Sequence, residues 1–113
     1  MEQHYKLFRI KELADNDQEF IAALAAAFLE EVPVEASRIE KAVSEKDYHN
    51  AYQAAHKIKP TVDLFELGVL AELIEVQDWG KFEKTDQDIS EKLEIVLNAI
   101  KNASTELKAD FNL

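Results

Sequence analysis

The segment 89-ISEKLEIVLNAIKNASTEL-107 carries apolar residues at successive intervals of 4, 3, 4, 3 and 4. This spacing places them on one face of an α-helix, which is typical of a helix packed against neighbours in an antiparallel bundle. The stripe consists of Ile89, Leu93, Val96, Ile100, Ala103 and Leu107. Upstream of it, Thr85, Asp86 and Asp88 predict a capped helix start. We predict that this segment is the last helix of an all-α domain.

The N-terminal half of the chain continues the helical pattern. Residues 7–13 predict a short entry helix, and the acidic stretch 15–17 offers an N-cap for the next helix. The apolar face of that helix is predicted from Phe20, Leu24, Ala27 and Phe28. Pro33 is expected to end it and to lie in the first turn of a following helix. The following helix is predicted to bury Val32, Ala36, Ile39 and Val43.

Two more helices are predicted in the middle of the chain. One covers residues 48–64 and starts after Asp47, with a core face made of Ala51, Ala55, Ile58 and Val62. The other is marked by Leu67, Leu70, Leu73, Ile74 and Gln77, and Gly80 is expected to cap its C-terminus. We interpret the whole as an up-and-down antiparallel four-helix bundle with a short N-terminal cap helix.

Composition limits the classes of function. The 113 residues fit one domain spanning 1–113, and only 2 Gly and 2 Pro argue against a hairpin-rich β fold. The absence of Cys excludes disulfides and thiol nucleophiles, and a net charge of −10 disfavours nucleic acid and anionic membranes as partners. The longest apolar run, 20–29, is too short to span a bilayer, and no signal-peptide core follows Met1. We expect a cytoplasmic monomer.

The predicted helix 48–64 presents a histidine to solvent. On a helical wheel His56 lies about 140° from Ala51 in the core face, and Lys59 follows it by one turn. A metal site from His49, His56 and Asp63 is rejected, because their i, i+7, i+14 spacing separates neighbours by about 10 Å. The chain also has no Gly-flanked serine elbow and no Gly-rich phosphate loop, so neither a triad nor an ATP site is predicted.

The string 54-AAHKIKP-60 surrounds this histidine. It resembles the A-H-x-[LI]-K-[GP]-like string of the histidine-containing phosphotransfer (HPt) domain family of bacterial phosphorelays, in which the string lies on an exposed helix of a four-helix bundle. The resemblance covers most of the chain. It includes the entry segment 8–13, the end of the first apolar helix at 28–31, and the Asp47-Tyr48 start of the histidine helix.

The resemblance implies a phosphoryl carrier without an ATP site, and not an enzyme. His56 would accept a phosphoryl group from a receiver-domain aspartate and pass it to another receiver. The partners implied are receiver domains of response regulators or hybrid histidine kinases, with no cofactor and no metal. Lys59 matches the family's phosphoryl-stabilising lysine, and Lys57 adds a second positive charge. The receiver-docking candidates are Tyr52, Pro60 and Asp63, and Asp78 is the expected imidazole-orienting residue.

Two positions depart from the family pattern. Pro60 stands four residues after the histidine, where glycine is usual, and Glu66 stands ten residues after it, where glycine is common. Gly68 is a candidate for the loop role of that second glycine. A second interpretation of the whole chain stays open, namely an acidic helical-bundle adaptor that binds a partner helix and in which His56 has no role.

Overall fold

A computed structural model describes residues 4–113. These residues form five α-helices and no strand, which confirms the all-α prediction. The helices are α1 (Phe8–Leu13), α2 (Gln18–Ser44), α3 (Tyr48–Leu64), α4 (Leu70–Lys81) and α5 (Ser90–Phe111). None of the helices within this range combines the length and apolar character that a bilayer crossing requires.

Helix α2 runs without a break through Pro33, so the prediction that Pro33 ends a helix was wrong. An interior proline costs about 3 kcal/mol, because it removes one backbone hydrogen bond and crowds the preceding turn. Burial of large apolar side chains on both sides contributes about 1.5–3 kcal/mol each and outweighs that cost. The buried face is Ile21, Ala25, Phe28, Val32, Ala36 and Ile39. Phe20 lies outside it and is 43% exposed, so the predicted face was shifted by one residue.

The predicted N-cap of α2 is confirmed, and Asp47, after which α3 was predicted to start, is the N-cap of that helix. The Asp17 carboxylate accepts from the backbone N–H groups of Glu19 and Phe20, at 3.0 and 3.3 Å. The Asp47 carboxylate accepts from the backbone N–H of Asn50 at 3.2 Å. Such caps satisfy amides of the first turn that have no partner within the helix. Helix α3 begins directly after Asp47 and covers residues 48–64, as predicted.

Helix α5 buries its whole predicted stripe, from Ile89 to Leu107. It begins at Ser90, later than Thr85–Asp88 suggested, and the Asp88 carboxylate accepts from the Ser90 backbone N–H at 3.0 Å. Helices α2 and α4 each pack against both α3 and α5. The N-terminal segment is tied to the end of α3, because the Lys6 backbone N–H donates to the carbonyl oxygen of Phe65 at 2.8 Å.

Candidate functional site

His56 lies on the exposed side of α3, as the helical wheel predicted. The two residues before it, Ala54 and Ala55, are fully buried, and their short side chains leave little bulk beside the imidazole. Pro60 is exposed and lies within α3, which continues to Leu64. Because proline has no N–H, the carbonyl of His56 lacks the donor that position 60 supplies in an ordinary helix. The exposure of His56 and the small size of its neighbours leave the ring open to an approaching molecule.

A buried amide on α4 holds one nitrogen of the ring. The Gln77 Oε1 atom lies 3.3 Å from His56 Nδ1, and Gln77 is only 7% exposed. An amide oxygen only accepts hydrogen bonds, so this contact selects the tautomer with the proton on Nδ1. The Gln77 Nε2 group points to the Asp78 carboxylate at 3.5 Å, which favours the same amide orientation. The lone pair of the ring is therefore on Nε2, and the His56 side chain is exposed.

The residue in contact with the imidazole is Gln77, one position before the Asp78 that the sequence suggested. Gln77 contacts the imidazole, and Asp78 reaches it only through the Gln77 amide. The sequence carried a signal for Gln77, since this polar residue stands in the otherwise apolar stripe of the fourth helix. A polar residue at a core position needs a partner, and here the partner is the His56 imidazole.

Gly80 sets the distance between α3 and α4. A Cβ atom at Gly80 would lie 2.5 Å from the Tyr48 carbonyl oxygen and 2.7 Å from the Tyr52 backbone nitrogen. Gly80 lies inside α4 and is buried, so it is not the C-terminal cap that the sequence suggested. Gln77 lies one turn before Gly80 in α4, and it contacts His56, which lies one turn after Tyr52 in α3. The two helices therefore run in opposite directions here, and their close approach aims Gln77 at the ring.

The two lysines near His56 have different surroundings. The Lys57 ammonium lies 3.2 Å from the carboxylate of Glu35 on α2, and Arg38 binds the same carboxylate at 3.1 Å. Lys57 is thus engaged on the α2 side, and its expected role toward a phosphoryl group on His56 stays a prediction. Lys59 is half-buried and forms no ion pair among residues 4–113. It follows His56 by three residues and shares its side of α3.

Glu35 is a buried carboxylate with two cationic partners. Burial by itself raises the pKa of Glu35, but hydrogen bonds and charge from Lys57 and Arg38 outweigh it, and the pKa lies below its ordinary value. The Arg38 guanidinium also donates to the side-chain oxygens of Asn50 and Gln53 on α3. This network joins α2 to the helix that carries His56.

The receiver-docking candidates lie along the same side of α3. The half-exposed Tyr52 ring is centred 5.7 Å from the His56 ring. Asp63 is paired with Arg9 of α1, whose guanidinium lies 3.3 Å from its carboxylate and donates to its backbone carbonyl at 3.0 Å. This pairing offsets the negative charge that Asp63 brings to the surface. The sequence did not reveal Arg9, because the contact joins residues far apart in the chain.

Two residues of the loop between α3 and α4 have a left-handed backbone conformation. Glu66 has φ +51° and Gly68 has φ +78°, so each lies in the left-handed region. Position 66 thus has the conformation for which glycine is favoured, although a glutamate stands there. Gly68 does not replace that position but adds a second left-handed residue to the same loop.

Among residues 4–113, no three His, Asp or Glu side chains are grouped so that they could hold a metal ion. Comparison with known proteins gives no assignment: no family model, no curated protein and no solved structure matches the chain. The interpretation of the site therefore depends on its own geometry and on the residues that build it.

Proposed function

We propose that this protein is a histidine phosphotransfer protein of a two-component phosphorelay. It accepts a phosphoryl group on His56 from a receiver-domain aspartate and passes it to another receiver. The observation that carries the proposal is an exposed imidazole with Nδ1 hydrogen-bonded to a buried amide at 3.3 Å and Nε2 open. A surface histidine without a role does not require a buried glutamine hydrogen-bonded to its Nδ1 atom.

The bond changes of the transfer balance between His56 and the receiver aspartate. The Nε2 lone pair attacks the phosphorus of the aspartyl phosphate, the N–P bond forms, and the P–O bond to the aspartate breaks to release a carboxylate. The Nδ1 proton stays on the ring and in its hydrogen bond to Gln77 throughout. The resulting phosphorylated ring is cationic, and the Gln77 oxygen accepts from it at the inner nitrogen. Return of the phosphoryl group to a second receiver reverses these bond changes.

Lys59 supplies charge to the transfer. The phosphoryl oxygens carry negative charge that must be stabilised as the group moves, and an ammonium one turn from the nucleophile meets that need. Lys59 is suited to the role because no carboxylate in the described part of the chain neutralises it. Lys57 is not, because Glu35 already holds it.

We further propose that α2 to α5 form an up-and-down antiparallel four-helix bundle capped by α1. The pairwise packing supports this arrangement, since α2–α3, α3–α4, α4–α5 and α2–α5 are neighbours. The short connections at 45–47 and 65–69 support it as well, because they join consecutive helices at the same end. In this bundle the His56 surface faces outward. The protein acts as a monomer, and a receiver domain binds it at this surface.

Incubation with a phosphorylated receiver domain tests the proposal. We expect the protein to acquire a label that is stable to base and labile to acid, as a phosphohistidine is. His56→Gln should lose the label completely while the free energy of unfolding changes by less than about 0.5 kcal/mol, since the site is exposed. His49→Gln is the matched control, because His49 is an exposed histidine on the same helix, and it should retain full labelling.

The adaptor interpretation makes the opposite prediction in this experiment. An acidic helical bundle that only binds partners acquires no phosphohistidine from any phosphorylated receiver. Labelling that persists in His56→Gln would also refute the assignment, because the accepting residue would then lie elsewhere. Retained receiver binding without labelling in the unmodified protein would favour the adaptor.

A further inference from the structure

A second feature of the surface lies between α2 and α5. The two helices leave a groove of about 650 Å³, which is within the range of small-molecule sites. Its floor is apolar and includes Ala36, Leu93, Leu97 and Ile100. None of its lining residues belongs to α3 or α4, so the groove is separate from the His56 site.

Ser104 of α5 lines this groove and carries a hydroxyl without a partner in the described part of the chain. Ser104 is 8% exposed, and its Oγ atom is buried with no hydrogen-bond partner among residues 4–113. A serine inside a helix ordinarily bonds to the carbonyl one turn earlier. The adjacent Thr105 does so, with its hydroxyl donating to the carbonyl of Lys101 at 3.1 Å. A buried hydroxyl without a partner is costly. Rotation of the Ser104 side chain toward the groove would let a ligand atom satisfy it.

Two unpaired cations flank that hydroxyl. Lys101 and Lys108 line the groove one turn before and one turn after Ser104, on the same face of α5. Both are exposed, and neither forms an ion pair within the described residues. Two ammonium groups around one hydroxyl donor are suited to a carboxylate.

The opposite end of the groove has the reverse charge. Glu94 lies ten residues before Ser104 on α5, about 15 Å away along the helix axis, and Glu40 of α2 lines the groove as well. The apolar floor lies between Glu94 and the lysines. An anionic head is therefore directed to the Lys101–Lys108 end, and an apolar body extends from it along Ile100 and Leu97.

We propose that the α2–α5 groove binds a soluble, single-chain amphipathic carboxylate. Its carboxylate lies between Lys101 and Lys108 and accepts from Ser104 Oγ, and its alkyl body covers Leu97 and Ile100. A lipid bilayer is not the occupant, since a protein of net charge −10 is repelled by an anionic surface. The proposal is independent of phosphotransfer at His56.

Titration of the full chain with sodium octanoate, followed by calorimetry and amide NMR shifts, tests this site. We expect saturable binding with shifts confined to the groove, and at least about tenfold weaker binding of two controls. Acetate supplies the head without the tail, and octyl glucoside supplies the same tail without the charge. Vesicles containing phosphatidylserine should not bind.

Three variants test which residues hold the carboxylate. Lys101→Gln combined with Lys108→Gln should lower octanoate affinity at least about tenfold, and Ser104→Ala should lower it severalfold. Lys92→Gln is the matched control, because Lys92 lies on the same helix but pairs with Glu75 of α4, and its affinity should not change. Circular dichroism checks that each variant is folded.

Several outcomes would overturn the proposal. Shifts that map outside the groove, equal affinity for octyl glucoside, or unchanged affinity in the double lysine variant would each remove the carboxylate site. Absence of octanoate binding to the unmodified chain would do the same. Vesicle binding lost in the double lysine variant would reassign the groove to a membrane surface.

Discussion

The α3–α4 contact and the α2–α5 contact both contain small residues but differ in how closely the helices approach. At the α3–α4 contact, Gly80 lies against the backbone of Tyr48 and Tyr52 with no room for a methyl group. At the α2–α5 contact, Ala36 and Ser104 face a groove of about 650 Å³. A small residue thus gives close packing only where the partner's backbone fills the space. The close contact places Gln77 against the His56 imidazole, and the open one leaves a groove.

Gly80→Ala should have the largest effect, because it breaks the close contact directly. The added Cβ meets backbone atoms at 2.5 and 2.7 Å, and backbone atoms cannot move aside as a flexible side chain does. We expect a loss of about 3 kcal/mol in the free energy of unfolding, at the upper end for overpacking. Urea denaturation measures it. Phosphoryl acceptance should also fall, because Gln77 moves with α4.

Gly68→Ala is the control for that prediction. A Cβ at Gly68 meets nothing within 4 Å, but its φ of +78° strains any other residue. We expect a loss of about 1 kcal/mol there, from backbone conformation alone. Equal losses in the two variants would mean that steric contact at Gly80 does not hold α3 against α4.

Lys59→Ala should have the next largest effect, on the rate of transfer. If the Lys59 ammonium stabilises the moving phosphoryl group, transfer slows by about 10–100-fold, which is about 1.4–2.7 kcal/mol of barrier. Lys59→Arg should rescue only part of the rate, because a planar guanidinium places its charge differently. Single-turnover transfer from a phosphorylated receiver measures both.

Lys57→Ala is the matched control, since Lys57 is two residues away and paired with Glu35. Its transfer rate should stay within about twofold. In Lys59→Ala, affinity for the unphosphorylated receiver should fall by about 1 kcal/mol or less, as for one exposed charge. An unchanged transfer rate with strongly weakened binding would make Lys59 a docking residue.

Ser104→Ala tests the α2–α5 contact. It should raise the free energy of unfolding, whereas Gly80→Ala should lower it. Removal of a buried hydroxyl without a partner, together with the higher helix propensity of alanine, should raise the free energy of unfolding by about 1–1.5 kcal/mol. Ser37→Ala is the control, because Ser37 lines the same groove but is exposed. It should gain only about 0.5 kcal/mol, from propensity. Equal gains would show that the Ser104 hydroxyl carries no penalty.

Glu35→Gln should have the smallest effect, in the α2–α3 network. Because the pKa of Glu35 is lowered in the folded chain, its stabilising contribution is complete above the ordinary glutamate pKa and is lost as pH falls through the lower folded value. The stability difference between the unmodified protein and Glu35→Gln should therefore shrink by about 0.5–1 kcal/mol between pH 7 and acid. Thermal unfolding at several pH values measures it, and a difference independent of pH would contradict the pairing.

Periodicity predicted the features that depend on local pattern. The bounds of α3, the exposure of His56 and the buried stripe of α5 all follow from apolar spacing and caps near in sequence. Pro33 was misread, because its local cost is smaller than the burial on both sides of it. The phosphotransfer role itself is a prediction that the experiments above test.

Contacts between residues far apart in the chain could not be predicted from the sequence. Gly80 suggests a helix cap until the backbone of α3 is placed against it. The count through the α3–α4 loop placed Asp78 at the imidazole, one residue past the Gln77 that contacts it. The pairing of Lys57 with Glu35 was not visible in the sequence, because Glu35 lies 22 residues earlier on another helix. Each of these assignments depends on which helices pack together, and that is not encoded by spacing within one helix.

The position of the phosphoryl group on the ring tests the central claim most directly. The protein is labelled with ¹⁵N, phosphorylated by a receiver domain, and examined by NMR for coupling between phosphorus and each imidazole nitrogen. Because Gln77 holds the proton on Nδ1, we expect one phosphohistidine, at His56, with phosphorus coupled to Nε2 and the proton still on Nδ1. Phosphorus bonded to Nδ1 of His56, or to His4 or His49, would contradict the account.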